Sequence, residues 1–181
     1  MSEPQSFLPV NLLISVIYRE DKILENFIAE MEKRFGPIDL VSPPYDFSIT
    51  DYYEKEMGSG LKRRFFSFER LYPPEVLVEA KLWSWEKEKE YLEKYSSEGR
   101  VINVDPGYLT SSLLVISTFK PFAHRIPLSK GVYAHLELLF KRGKVFPLEW
   151  TYPDFKANTY HNFLIKVRAR YKEKLRKWRK T

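Results

Sequence analysis

Residues 8–18, LPVNLLISVIY, are apolar and often β-branched, the pattern of a strand buried on both faces. Ile23, Leu24, Phe27, Ile28, Met31 and Phe35 then recur at spacings of three and four, which predicts a helix capped by Asp21 and ended by Gly36. A short strand is expected at 38–41. After the break SPPYDFS, the stretch ITDYYEKEMG (49–58) reads as extended and LKRRFFSFERL (61–71) as another strand. Pro73 and Pro74 open a long predicted helix to about Tyr95, because a missing N–H is tolerated in a first turn. Within it EKEKE (86–90) reads as a solvated face. RVINV follows as a strand that is expected to stop at Asp105 and turn through Pro106 and Gly107.

Beyond that turn, SLLVISTF, HRIPL, VYAHLELLF and KVFPL are all strand-like, with Arg142-Gly143 as a hairpin turn, and a last helix starts near Asn158. The order β-α-β-β-α-β is that of a ferredoxin-like unit. The expectation is therefore one α+β domain over 1–181. It comprises a ferredoxin-like half (about 8–104), an antiparallel β-meander (about 105–150) and a C-terminal helix (about 158–180) packed on them.

Composition narrows the chemistry. The chain has 181 residues and no Cys, which excludes disulfides, thiolate nucleophiles and cysteine-held zinc or iron–sulfur sites. MSEPQSFLPVNLL has no basic stretch ahead of its apolar run, so no secretory signal is read, and no run spans a bilayer. Cytoplasmic residence is the expectation. A charged fraction of 30% without Cys also suits a heat-adapted protein.

The formal net charge of +6 is unevenly placed. Residues 166–181 hold nine Lys/Arg against Glu173 alone, so the rest of the chain is slightly acidic. In that last helix Tyr160, Leu164, Val167, Tyr171, Leu175 and Trp178 form an apolar stripe that suits docking on the body. Basic residues there complement the helix dipole. Alternatively, Arg168, Lys172, Arg176 and Arg179 form a nucleic-acid-binding face.

Four polar clusters stand beside apolar or turn-forming residues. In the first, an extended 50–58 would put Tyr52, Glu54 and Glu56 on one face, as ligands for a divalent cation such as Mg or Mn or as an exposed charged edge. In the second, DPGY, Asp105 either bonds its own turn or delivers a carboxylate beside the Tyr108 phenol. In the third, TFKPFAHRI (118–126), Lys120 and Arg125 suit phosphate or carboxylate and His124 suits a proton shuttle. In the fourth, EWTYPDF (149–155), Asp154 caps the last helix or closes a turn, and Trp150 and Tyr152 pack. No Walker A, GxGxxG, HExxH or GxSxG pattern is present.

Taken in order, YYEKEMG, INVDPGYL, K…HRI, GVYA and WTYPDF resemble the signatures of an uncharacterised prokaryotic family, domain of unknown function 4416, over most of residues 10–171. The resemblance brings no established activity. It marks Tyr53, Glu54, Glu56, Met57, Gly58, Asp105, Pro106, Gly107, Tyr108, Lys120, His124, Arg125, Trp150, Tyr152, Pro153 and Asp154 as belonging together. The chain departs from the pattern at Ser84-Trp85, Phe119 and His135.

The expected site is a pocket for an anionic, phosphate-bearing small molecule or nucleotide. Lys120, Arg125, Tyr108, Tyr53 and Asp154 would bind it, and His124, Glu54 and Asp105 would serve any catalysis. A metal on Glu54, Glu56 and Asp105 would suit phosphoester hydrolysis. The competing readings are a nucleic-acid-binding protein without catalysis, and a buried structural network of the same charges.

Overall fold

The computed structural model describes residues 3–48, 53–95 and 99–180; Tyr52 of the first cluster lies outside them. Strand β1 (Val10–Tyr18) is buried at every position, as its unbroken apolar run requires. Helix α1 (Asp21–Phe35) follows, then β2 (Ile38–Val41), β3 (Tyr45–Asp46), a single helical turn α2 (Glu54–Met57), β4 (Lys62–Tyr72) and the long helix α3 (Val76–Tyr95). The second half runs through β5 (Ile102–Leu109), β6 (Leu113–Thr118), β7 (Arg125–Ser129), β8 (Val132–Lys141) and β9 (Lys144–Pro147). A short turn α4 (Pro153–Lys156), a 3-10 turn and α5 (His161–Trp178) complete the described chain.

All nine strands join one antiparallel sheet in the order β2-β4-β1-β5-β6-β8-β7, with β3 beside β4 and β9 beside β8. Alternation along β1 sends Leu12, Ile14 and Val16 into a core with Phe27 and Met31 of α1 and Ala80 and Tyr91 of α3. Leu13 faces the other way, into a second core with Phe65, Leu164, Val167 and Tyr171. Helices thus cover both faces of the sheet, and the apolar stripe of α5 docks as its spacing predicts. Only the outer end of that stripe differs: Trp178 is exposed. Arg142 and Gly143 both take positive φ in the β8–β9 hairpin, the turn their sequence announces.

Several expectations are corrected. Residues 54–57 are helical, closed by Gly58 at φ 81°, so Glu54 and Glu56 do not share a strand face. Asp21 opens α1 but makes no capping bond; it pairs with Lys62 at 3.2 Å. Pro73 and Pro74 form the turn leading into α3 rather than its first helical residues.

The larger correction concerns DPGY. β5 does not stop at Asp105; it runs through Pro106 and Gly107, paired with β1 from Ile102 to Leu109. Strand alternation therefore places Asp105 on one face and Tyr108 on the other, where Tyr108 packs against the α1/α3 core. Gly107 is there for close approach, not for turning: a Cβ would sit 2.4 Å from the Val115 carbonyl oxygen of β6. Gly107→Ala is expected to destabilise the fold by about 1–3 kcal/mol, read from the urea midpoint, because backbone must move to admit the methyl. Regular β5–β6 pairing begins only at Gly107–Ile116. Ahead of it Pro106 has no N–H to extend a ladder, and its carbonyl instead accepts from the Ser117 hydroxyl at 2.7 Å.

Candidate functional site

Where β5 and β6 part, a cavity of about 440 Å³ opens. α3 supplies Lys81, Trp85 and Glu88; β4 supplies Arg63; β5 supplies Asn103 and Asp105. The far wall is Thr118, Phe119 and Lys120 at the end of β6, Arg125 at the start of β7, and residues 152–155. Tyr53 and Arg100 close the side nearest α2. The lining thus carries five cationic side chains against three carboxylates, so it favours an anion.

The inner end is a charge network. Arg63 is buried between the rings of Phe47 (4.7 Å) and Phe155 (5.3 Å). Its Nη1 donates to Asp154 Oδ2 at 2.6 Å, and its Nη2 lies 3.7 Å from Asp105 Oδ2. Tyr160 also donates to Asp154, at 3.2 Å. Asp105 accepts from Asn103 Nδ2 at 2.8 Å and lies 3.5 Å from Lys81 Nζ. Arg100 reaches Glu56 through two bonds, 3.0 and 2.7 Å, and Asn103 Oδ1 through a third at 2.7 Å. Glu88 accepts the Val104 N–H at 2.6 Å, and burial pushes its carboxyl above the usual range. Burial likewise raises the Tyr53 phenol and pushes Tyr152 up to about 12, so both hydroxyls stay protonated near neutrality.

Arg125 is differently placed. Its Nε donates to His135 Nδ1 at 3.2 Å, its Nη1 to the Lys120 carbonyl at 2.9 Å and its Nη2 to the Tyr152 hydroxyl at 3.1 Å. Because an arginine Nε always carries its proton, His135 Nδ1 is the acceptor and Nε2 holds the imidazole proton. That Nε2 sits 2.7 Å from Glu137 Oε2, and both side chains are fully buried. The His135 ring also stacks on Tyr152, 4.7 Å between centroids. The guanidinium is therefore fixed in place, yet none of its three partners is a carboxylate.

The expected site residues divide. Asp105, Lys120, Arg125, Tyr53 and Asp154 line the one cavity. Tyr108 belongs to the core on the other face. Glu54 and Glu56 line a separate depression beside Arg19, and Glu56 faces the cavity only through Arg100. Among the described residues no three His, Asp or Glu side chains are grouped to hold a metal ion. His124 is outside the lining; it stacks on Trp150 at 4.9 Å, and its Nε2 lies 3.1 Å from His135 Nδ1. Partial burial, followed by His135 and Arg125, lowers its pKa.

On α5, Arg168 donates to the Ser111 carbonyl at 2.6 Å, and Lys174 pairs with Asp39 at 3.0 Å. Lys172, Arg176 and Arg179 are exposed.

Arg63, Lys81, Glu88, Arg100 and Asn103 went unread in the sequence, although a signal was present for three of them. Leu77, Lys81, Ser84, Glu88 and Tyr91 repeat at spacings of four and three along α3, so Lys81 and Glu88 stand on its buried stripe. Glu88 therefore leaves the solvated EKEKE face. Arg63 alternates with Phe65 on the buried face of β4. Two departures from the family pattern, Trp85 and Phe119, meet at the cavity mouth, 6.4 Å between ring centroids.

The family model described as Domain of unknown function (DUF4416) matches residues 8–171. No curated protein and no solved structure matches the chain. No helix among the described residues is long and apolar enough to cross a membrane.

Proposed function

We propose that this chain, which belongs to the DUF4416 family, binds a small phosphate-bearing anion in the cavity between β5 and β6. The observation that carries this reading is Arg125. Its side chain is locked by three neutral acceptors, leaves two N–H groups uncommitted by them, and makes no ion pair among the described residues. A pre-oriented fork of this kind suits two oxygens of a phosphate, and it loses little entropy on binding. The other cavity arginines are compensated by carboxylates, Arg63 by Asp154 and Arg100 by Glu56. A volume of about 440 Å³ falls within the range of small-molecule sites.

Binding rather than hydrolysis is the favoured form. The acid–base set expected from sequence is dispersed, with Glu54 and His124 outside the cavity. The strand order β2-β4-β1-β5, with α1 and α3 on one face, supports reading the first half as ferredoxin-like. One continuous sheet supports a single domain.

A thermal-shift titration with inorganic phosphate and glucose 6-phosphate tests the reading. The parent protein should be stabilised. Arg125→Ala should bind about 10- to 100-fold more weakly, the equivalent of one charge-assisted bond of about 1.5–3 kcal/mol. Equal shifts in the two proteins would remove Arg125 from the site, and no shift in the parent would remove the site itself.

A further inference from the structure

A site for phosphate alone has no use for two features of this cavity. The first is a pair of open rings at its mouth. Trp85, projecting from α3, and Phe119, just past β6, keep 44% and 37% of their surface exposed. Their rings meet edge to face, 72° between planes. Both stand in a cationic setting, with Lys89 Nζ 3.6 Å from the Trp85 centroid and Lys81 Nζ 5.5 Å from that of Phe119. Neither ring belongs to a hydrophobic core. The second feature is a carboxylate in the wall: Asp105 would repel a phosphate beside it but accepts hydrogen bonds from hydroxyl groups.

Resting on the anion-site reading above, we infer that the ligand is a free mononucleotide. Its base lies against Trp85 and Phe119, its sugar hydroxyls donate to Asp105, and its phosphate sits on Arg125. Each part follows from ordinary chemistry. A base stacks on any exposed aromatic face without sequence preference. Ribose hydroxyls are held by carboxylates in dinucleotide-binding folds. Asp105 retains acceptor capacity beyond Asn103 and Lys81, since each carboxylate oxygen has two lone pairs. A volume of about 440 Å³ is that of a small-molecule site, which favours one nucleotide over a strand.

Isothermal titration of the full chain compares adenosine and cytidine 5′-monophosphates with ribose 5-phosphate, which keeps the sugar and phosphate but has no base. The nucleotides should bind at least about tenfold more tightly than ribose 5-phosphate, the share that base stacking contributes. Trp85→Ala, a change at an exposed position, should bring the nucleotides down to the ribose 5-phosphate affinity and leave ribose 5-phosphate itself unchanged. Phe119→Ala should act in the same direction. If all three ligands bind alike and neither variant matters, the nucleotide inference is overturned while the anion site stands. Binding of none of them overturns both, and a 5′-phosphorylated oligonucleotide binding more tightly than the mononucleotides overturns the mononucleotide assignment.

Discussion

Arg63→Ala is expected to destabilise the protein by about 3–5 kcal/mol, the cost of leaving buried charge without its partner. Arg63 and Asp154 have side chains only 5% and 7% exposed, and they meet at 2.6 Å. Removing the guanidinium, which lies between the Phe47 and Phe155 rings, leaves the buried Asp154 carboxylate beside the Tyr160 hydroxyl without its counter-charge, and also takes a counter-charge from Asp105. The melting temperature should fall by about 10 °C, given a typical 2–4 °C per kcal/mol at this chain length. Asp154→Asn should cost less alone. The double variant should lose less than the two single losses combined, because the second change removes a group the first had already orphaned. Simple additivity would show that the pair is not coupled.

The second large effect is Phe65→Ala, expected at about 3–5 kcal/mol for a fully buried phenylalanine. The Phe65 ring stands on β4 and touches Tyr160 at 4.9 Å, Phe155 at 5.8 Å and Phe163 at 6.1 Å. It therefore anchors α4 and the start of α5 to the sheet. The same segment supplies Tyr152 and Asp154 to the cavity, so the variant should lose phosphate affinity as well as stability. Denaturant unfolding and phosphate titration read the two effects separately. A variant destabilised as expected but binding normally would show that the 152–155 wall holds without this ring.

The strands and long helices were legible because burial marks the sequence: an unbroken apolar run gives β1, buried on both faces, and a 3.6-residue apolar period gives α1 and α5. The site was legible in part. Asp105, Lys120, Arg125 and Asp154 could be picked out because each is a charge beside a turn or an apolar run. What could not be read was register. Pro106-Gly107 looks like a turn in one dimension, but here the glycine admits the Val115 carbonyl and the proline ends a ladder. A strand that continues instead of turning moves Tyr108 to the opposite face. Glu88 was hidden because alternating charges look solvated until the helix phase, set by Leu77 and Tyr91, is taken into account. His135 and Glu137 sit two apart on β8, and nothing in their polarity marks them in the sequence as the fully buried pair behind Arg125.

The most direct test is a phosphomonoester titration followed through the arginine Nε–Hε resonances, with ribose 5-phosphate as ligand. The Arg125 signal, identified by its loss in Arg125→Ala, should move with saturation while those of Arg176 and Arg179 on the terminal helix stay in place. Movement confined to the terminal-helix arginines, or an Arg125 signal that does not move, would contradict an anion site between β5 and β6.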